Sequence, residues 1–368
     1  MIKRPRQPTV IIPSEVVSNR VAGVLYGFAH YEPATFNVLS CGDPPAWSVG
    51  SLQPTPIGQL LDRPTAEMAT ELCGWFTDRG AEFVFEGRAC RVEVYSLILD
   101  VFSRNSGIIE NGALLDSTAI ISGCGSVGSL VALELARAGV GRFLLIDNDV
   151  LAYQNICRHQ CGISDVGKYK VDALRDRISN VNPKAHVHCQ HDIIERVAKD
   201  VFDTFCTTPC LIVGCADNRD GDLYANKISC LYGVPFVSIG LWERAFAGEL
   251  FWSIPGETAC YNCVFGGLTE DVVSFRVSAN RRVYTNEPEM QVMAFEPGIS
   301  MDITFVTIIG AKLALDLMSR QVGLAISTRT IHSLKQFTLV CNTPDTKVAG
   351  DLAAIFSYPL QITRSIRG

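Results

Sequence analysis

The chain has 368 residues, a net charge of -6 and a pI of about 5.6, with 48% hydrophobic and 19% charged residues. This is the composition of an ordinary soluble globular protein that can bury a full hydrophobic core. The acidic balance argues against a general binder of nucleic acid or of anionic membranes.

The start of the chain and its thiols predict a cytoplasmic protein. The basic opening MIKRPRQP is not followed by an apolar segment, so no secretory signal is expected. Fourteen cysteines without such a signal indicate reduced thiols. The apolar segment DITFVTIIGAKLALDLM contains Lys312 and two aspartates, which favours a buried helix over a membrane span.

The first hundred residues show no regular alternation of strands and helices. They are rich in proline and glycine in GDPPAWSVGSLQPTPIGQ, and TAEMATELCGWFTDRG, residues 65–80, is predicted to be helical. We therefore treat 1–100 as a separate N-terminal region of unknown role, with binding of a partner or peptide as one possibility.

From 117 to about 240 the chain alternates between strands and helices. The predicted strands are TAIISG, RFLLID, CLIVGCAD and FVSIG, and the predicted helices are GSLVALELARAG and KVDALRDRISNVNP. Continuous apolar strands separated by helices indicate a mostly parallel, Rossmann-like α/β sheet covered on both faces. Beyond 240, AGELFWSI and QFTLVCN predict an antiparallel C-terminal layer, with a long helix over 301–319 between them.

A glycine-rich turn, GCGSVGS, follows the first of these strands and opens a helix. Gly123, Gly125 and Gly128 would let the backbone approach a phosphate at the helix N-terminus. Asp147 ends the next strand, where an acid can hold the hydroxyls of a ribose. The turn alone would suggest NAD.

The residues that follow favour a triphosphate instead. Asn155 and Arg158 come soon after the acid, and Lys170 follows them. Asp217 ends another strand, at the sheet edge where open α/β sheets bind ligands. Two cations, an amide and a second acid suit ATP with magnesium, because the cations offset phosphate charge and the acid can hold the metal. We interpret Lys168 as a solvated charge or helix cap.

The run from Gly123 to Asp217 resembles the adenylation core of the ThiF/MoeB superfamily, which includes the eukaryotic ubiquitin-activating enzymes. The segments that carry the resemblance are FSRNSG around Arg104, the glycine turn, DNDVLAYQNICRHQ in place of the family's DxD and NLxRQ, Lys170 in place of its GxxK lysine, Asn182–Pro183, Asp217–Asn218, CYNC and AFEPGIS. These segments span roughly residues 102–318 in the family order, with His159 inserted before the glutamine of NLxRQ. The adenylation domain is accordingly placed at 101–368.

The resemblance implies ATP- and Mg²⁺-dependent adenylation of the C-terminal carboxylate of a ubiquitin-like protein, with release of pyrophosphate. The nucleotide-binding residues it implies are Gly123, Gly125, Gly128, Asp147, Asp149, Asn155, Arg158 and Lys170. Arg158, Lys170 and Arg104 would neutralise the phosphates, and Asp217 would hold magnesium. Arg104 matches an arginine that enters the partner subunit's site, which implies a homodimer. A C-terminal carboxylate is already ionised at neutral pH, so the reaction needs no general base.

Two departures from the family concern cysteines. Cys260 and Cys263 match the first pair of a four-cysteine zinc site, but the tail after Cys341 contains no cysteine, so structural zinc is doubtful. The family's thioester-forming cysteine lies shortly before the helix at 301–319, where this chain reads VMAFEPGIS. Either Cys263 or Cys260 accepts the acyl group, or the adenylate passes directly to a conjugating-enzyme-like partner.

Three functional interpretations stay open at this point. The leading one is an activating enzyme similar to those of bacterial ubiquitin-like conjugation operons. The second is an enzyme that adenylates a ribosomally made peptide, as in microcin maturation, with 1–100 as a peptide clamp. The third is a catalytically silent scaffold, which intact Arg158, Lys170 and Asp217 argue against.

Overall fold

A computed structural model describes most of the chain. The residues described are 7–45, 53–64, 71–97, 99–110, 112–217, 219–242, 245–265, 298–324, 330–331, 333–342 and the backbone of 361–364. The chain divides into two compact units, Met1–Arg104 and Asn105–Gly368.

The first unit is built on an eight-stranded mixed sheet. Its elements are β1 (Thr9–Pro13), α1 (Ser14–Ser18), β2 (Gly23–Tyr31), β3 (Ala34–Cys41), β4 (Thr55–Leu61), β5 (Leu72–Thr77), β6 (Gly80–Phe85), β7 (Arg88–Ala89) and β8 (Arg91–Tyr95). The strand order is β7-β6-β5-β4-β2-β3-β1-β8. Alternate side chains form its core, among them Ile12, Leu25 and Leu60, each 0% exposed.

The helix predicted over 65–80 is wrong where the structure describes it, since β5 and the start of β6 occupy that part. In β5, Leu72, Gly74 and Phe76 are buried and the residues between them are half-buried. This period of two is that of a strand. Residues 65–70 lie outside the described part of the chain.

The second unit is a larger α/β unit. Its elements are β9 (Thr118–Ser122), α2 (Ser126–Arg137), β10 (Arg142–Ile146), α3 (Lys170–Val181), β11 (His186–Gln190), α4 (Lys199–Phe205), β12 (Cys210–Gly214), α5 (Arg219–Tyr232), β13 (Phe236–Leu241), β14 (Ala247–Ser253), α6 (Tyr261–Phe265), α7 (Ser300–Gln321), β15 (Phe337–Cys341) and β16 (Gln361–Arg364). The strand order is β11-β10-β9-β12-β13-β14-β15-β16. The first five strands in this order run parallel to one another, whereas β14 pairs antiparallel with β13, and β15 and β16 continue the antiparallel pairing.

The fold class predicted from the sequence is confirmed, including helices on both faces of the sheet. Along β9, Ile121 packs in the cluster that contains residues of α2, α3 and α7, whereas Ile120 packs with residues of α4 and α5. Adjacent residues of a strand point to opposite faces, so each face needs its own helical cover. The antiparallel C-terminal strands extend this same sheet instead of forming a layer of their own.

The long helix predicted over 301–319 is confirmed as α7, Ser300–Gln321. Eleven of its residues are buried, including Val306, Leu313 and Leu317. Within the described part of the chain, no helix has the length and apolarity needed to cross a membrane.

Candidate nucleotide site

The parallel strands bring the predicted polar residues to one edge of the sheet. β9 lies between β10 and β12. The chain leaves β9 through α2 to reach β10 on one side, and it returns later to β12 on the other. Such a reversal of strand order opens a crevice outside the carboxyl ends of the strands, where ligands bind. Gly123, Asp147 and Asp217 all follow strands that end at this crevice.

Each of the three glycines in the turn occupies a position that favours glycine for a different structural reason. Gly123 has φ +90°, and a Cβ there would lie 2.8 Å from the carbonyl oxygen of Cys215. A Cβ on Gly128 would lie 1.8 Å from the carbonyl oxygen of Gly123, so this position lets α2 pack against the turn. A Cβ on Gly125 would meet no atom within 4 Å, which leaves open space for a ligand beside the backbone.

The carboxylate of Asp147 holds the glycine turn in place. One oxygen accepts the backbone N–H of Cys124 at 2.7 Å, and the other accepts the N–H of Asp149 at 2.8 Å. Burial raises the pKa of Asp147, and the positive charge of Lys170 opposes that rise. Each oxygen keeps a further lone pair, so the carboxylate can also accept hydrogen bonds from a ribose.

Lys170 supplies positive charge to a cluster of carboxylates. Its Nζ lies 2.6 Å from Oδ2 of Asp149, and its side chain is 12% exposed. Burial alone would lower the pKa of Lys170, but the charges of Asp147, Asp149 and Asp217 outweigh this and raise it. Lys170 is the first residue of α3, where a cation opposes the helix dipole. The carboxylates keep the ammonium charged in that unfavourable position.

These groups line a cavity of about 200 Å³. The predicted residues that line it are Gly123, Gly125, Asp147, Asp149, Lys170 and Asp217. Sequence reasoning missed another wall, the segment Asp192–Glu195 that follows β11. In it, Ile194 is buried and Ile193 is 38% exposed, so the two give the cavity an apolar side that suits a nucleobase. This wall could have been predicted only if β11 had been recognised in the sequence as the strand beside β10.

Four other predicted residues do not line the cavity. Gly128 packs behind the turn, and Arg104 is exposed in a short 3-10 turn, Ser103–Asn105. Asn155 accepts the backbone N–H of Ala152 through Oδ1 at 2.9 Å, so its side chain caps a local turn. Arg158 is half-buried and close to this cap in sequence. Asn218 lies outside the described residues, as do residues 292–297 of VMAFEPGIS.

Lys168 is part of an ion-pair cluster rather than a solvated charge. Its Nζ lies 3.0 Å from a carboxylate oxygen of Asp165 and 3.0 Å from one of Asp176. Both carboxylates are buried, and they raise the pKa of Lys168 although its own burial opposes this. Lys168 therefore stabilises the segment that leads to Lys170, without lining the cavity.

His159, which the sequence showed only as an insertion, connects two backbone segments near the turn. Its Nδ1 accepts the N–H of Cys161 at 3.0 Å, so Nε2 carries the proton and donates it to the carbonyl oxygen of Cys124 at 2.8 Å. The residue is 7% exposed, and burial lowers its pKa. His159 is thus a neutral side chain that fixes the glycine turn from behind.

The oxygen donors at the cavity fit magnesium. Mg²⁺ keeps several waters and is held by one or two carboxylates together with substrate phosphates. Asp217 and Asp149 are exposed carboxylates beside the cavity and meet that requirement. For a metal held by the protein alone, no group of three or more His, Cys, Asp or Glu side chains within the described residues has a suitable arrangement.

Comparisons with known proteins identify the family of this chain and agree with its fold. Ubiquitin-like modifier-activating enzyme 5 of Oryza sativa subsp. japonica is 29% identical over 209 residues, which are 50% of this chain and 49% of that protein. The Caenorhabditis elegans protein of the same name is 30% identical over 169 residues, 43% of this chain and 40% of its own. The chain thus matches about half the length, or less, of these relatives.

Among solved structures, a crystal structure of selenomethionine PaaA matches with a TM-score of 0.50 and 16% sequence identity, covering 72% of this chain and 82% of that one. This likeness is one of fold. The profile of the ThiF family matches residues 102–364, which include every element from β9 to β16. The chain belongs to the ThiF family.

Proposed function

We propose that this chain uses ATP to adenylate the C-terminal carboxylate of a ubiquitin-like protein and releases pyrophosphate. The observation that carries the proposal is the charged Lys170 among Asp147, Asp149 and Asp217, beside a turn whose Gly125 leaves room for phosphate. The names of the curated relatives, ubiquitin-like modifier-activating enzymes, support the choice of substrate class.

The chemistry requires charge neutralisation above all. A carboxylate must attack the α-phosphate within a polyanion, and Coulomb repulsion opposes its approach. Lys170 would leave Asp149, which is 64% exposed, and pair with a phosphate as charge develops on the leaving pyrophosphate. Asp147 would orient the ribose, and Ile193 and Ile194 would pack against the nucleobase. Catalysis then consists mainly of positioning and electrostatic stabilisation.

Asp217 would be the main protein ligand of Mg²⁺. When bound, the ion would neutralise phosphate charge and hold the phosphates in a reactive orientation. In the proposal Arg158 is a phosphate-binding residue, which requires its side chain to turn toward the ligand from its half-buried position.

The assembly and the acyl acceptor are further parts of the proposal. Arg104, exposed in its turn, would reach the site of a second copy in a homodimer. The adenylate would pass to Cys263 or Cys260, or directly to a conjugating-enzyme-like protein. We assign adenylation to residues 101–368 and binding of a partner or peptide to residues 1–100.

ATP–pyrophosphate exchange tests the proposed reaction. Asp217→Asn is expected to reduce exchange by a factor on the order of a hundred, since it removes one charged group from a preorganised site. Asp220→Asn is the matched control, because Asp220 is also exposed and close by but does not line the cavity. Equal exchange rates in the two variants would contradict the assignment of this cavity as the site of adenylation.

The same assay separates the two substrate classes. Exchange that requires a ubiquitin-fold protein with an intact C-terminal carboxylate supports the proposal, and amidation of that carboxylate should abolish it. Exchange supported by a short ribosomal peptide, and not by any ubiquitin-fold protein, would favour peptide maturation instead.

A further inference from the structure

Three thiols lie together at α5 and α6, apart from the nucleotide cavity. Cys260 precedes α6, Cys263 lies within it, and Cys230 lies near the end of α5. The sulfurs of Cys260 and Cys263 are 3.2 Å apart, and the N–H of Cys263 donates to the Cys260 sulfur at 3.4 Å. Cys263 and Cys230 are exposed, and Cys260 is partly exposed, so solvent reaches the cluster.

The pKa of Cys260 is shifted in the opposite direction to that of its neighbour Cys230. Burial would raise the pKa of Cys260, but hydrogen bonds from the Cys263 side chain and from nearby backbone N–H groups outweigh it and lower the pKa. Burial raises the pKa of Cys230, and the neighbouring sulfurs raise it further. Because the thiolate is the nucleophile, the lowered pKa favours Cys260 over Cys230 as the attacking thiol.

The turn between the paired sulfurs is held from several directions. Tyr261 is 1% exposed, its N–H donates to Asn226 at 2.8 Å, and its hydroxyl accepts from Arg219 at 2.9 Å. Its ring also packs edge-on against Phe251, with centroids 5.1 Å apart. A fixed turn keeps the two sulfurs close, so a bond of about 2.05 Å between them needs an approach of only about 1 Å.

We propose that Cys260 and Cys263 form a thiol–disulfide exchange site for small disulfides of the glutathione class. The Cys260 thiolate attacks one sulfur of the small disulfide and displaces the other as a thiolate, giving a mixed disulfide. The Cys263 thiolate then attacks the Cys260 sulfur and displaces the second small thiol. The protein dithiol loses two electrons and two protons, and one disulfide becomes two thiols.

This site does not depend on adenylation, so its test needs no substrate of the proposed enzyme. The full chain is equilibrated in mixtures of reduced and oxidised glutathione, quenched with acid, alkylated and mapped by peptide mass spectrometry. The wild type is expected to lose two hydrogen masses in the peptide that contains Cys260 and Cys263. Cys263→Ser is expected to accumulate one glutathione on Cys260, because the resolving thiol is gone.

Two control variants locate the reaction. Cys230→Ser removes the neighbouring thiol and should leave the disulfide intact, and Cys157→Ser removes an exposed thiol outside the cluster and should also leave it intact. Circular dichroism verifies that each variant is folded. Modification of Cys157 in the wild type while Cys260 and Cys263 both stay reduced would overturn the proposal. Stoichiometric zinc that copurifies with the wild type and blocks oxidation of the pair would also overturn it.

Discussion

The substitution His159→Ala tests whether a neutral histidine fixes the glycine turn. The imidazole joins the carbonyl oxygen of Cys124 to the N–H of Cys161, with nitrogen distances of 2.8 and 3.0 Å. Both partners belong to buried residues, so each is left without its hydrogen bond inside the protein when the ring is removed. The alanine variant should therefore retain the fold, but its glycine turn should open more easily.

The size of the effect follows from the two partners that lose their hydrogen bonds. A buried backbone group left without a partner costs about 1–3 kcal/mol. Water entering the space of the missing ring can satisfy part of this demand, so we expect a loss of about 2–4 kcal/mol in the opening free energy of the surrounding strands. His186→Ala is the control, because His186 is exposed on β11. This substitution should change the opening free energy by no more than about 0.5 kcal/mol.

Hydrogen–deuterium exchange of peptides from β9 and β10 measures this opening without requiring the two units to unfold together. The effect should also depend on pH. Burial lowers the pKa of His159 below its usual 6.5, so the unfolded chain takes up a proton that the folded chain does not. The opening free energy of the wild type should therefore fall as the pH drops below about 6.5. The difference in opening free energy between the wild type and His159→Ala should then become smaller. Equal protection in His159→Ala and His186→Ala at pH 8 would refute the reasoning.

The sequence predicted the central strands because their environment leaves a simple pattern. β9, β10, β12 and β13 are covered on both faces, so each is an apolar run with clear ends. β11 was missed because it has the polar sequence HVHCQ and, among the described strands, lies at the edge of the sheet beside β10.

The positions of residues near strand ends could also be predicted, because parallel strands bring their carboxyl ends to one edge of the sheet. Asp147 and Asp217 needed no further information than this. Lys170 lies near these aspartates because it is the first residue of α3. The positions of Asn155 and His159 could not be predicted, since each depends on a hydrogen bond to backbone within an irregular segment.

The remaining predictions concern the glycine turn and its neighbouring cation. Gly128→Ala should destabilise the fold by about 1–3 kcal/mol, because its Cβ would lie 1.8 Å from the carbonyl oxygen of Gly123, whereas Gly125→Ala should keep thermal stability and lose ATP affinity in calorimetry. Lys170→Met leaves the cavity carboxylates without their ammonium, and the phosphates of ATP would then meet an uncompensated negative field. We expect pyrophosphate exchange to fall by a factor on the order of a hundred or more. Lys168→Met removes the same charge from a neighbouring ion-pair cluster that does not line the cavity, so it should lower stability and retain exchange in the folded protein. If both lysine variants are folded and lose exchange equally, net charge rather than the position of Lys170 governs the reaction, and the proposed role of this residue is wrong.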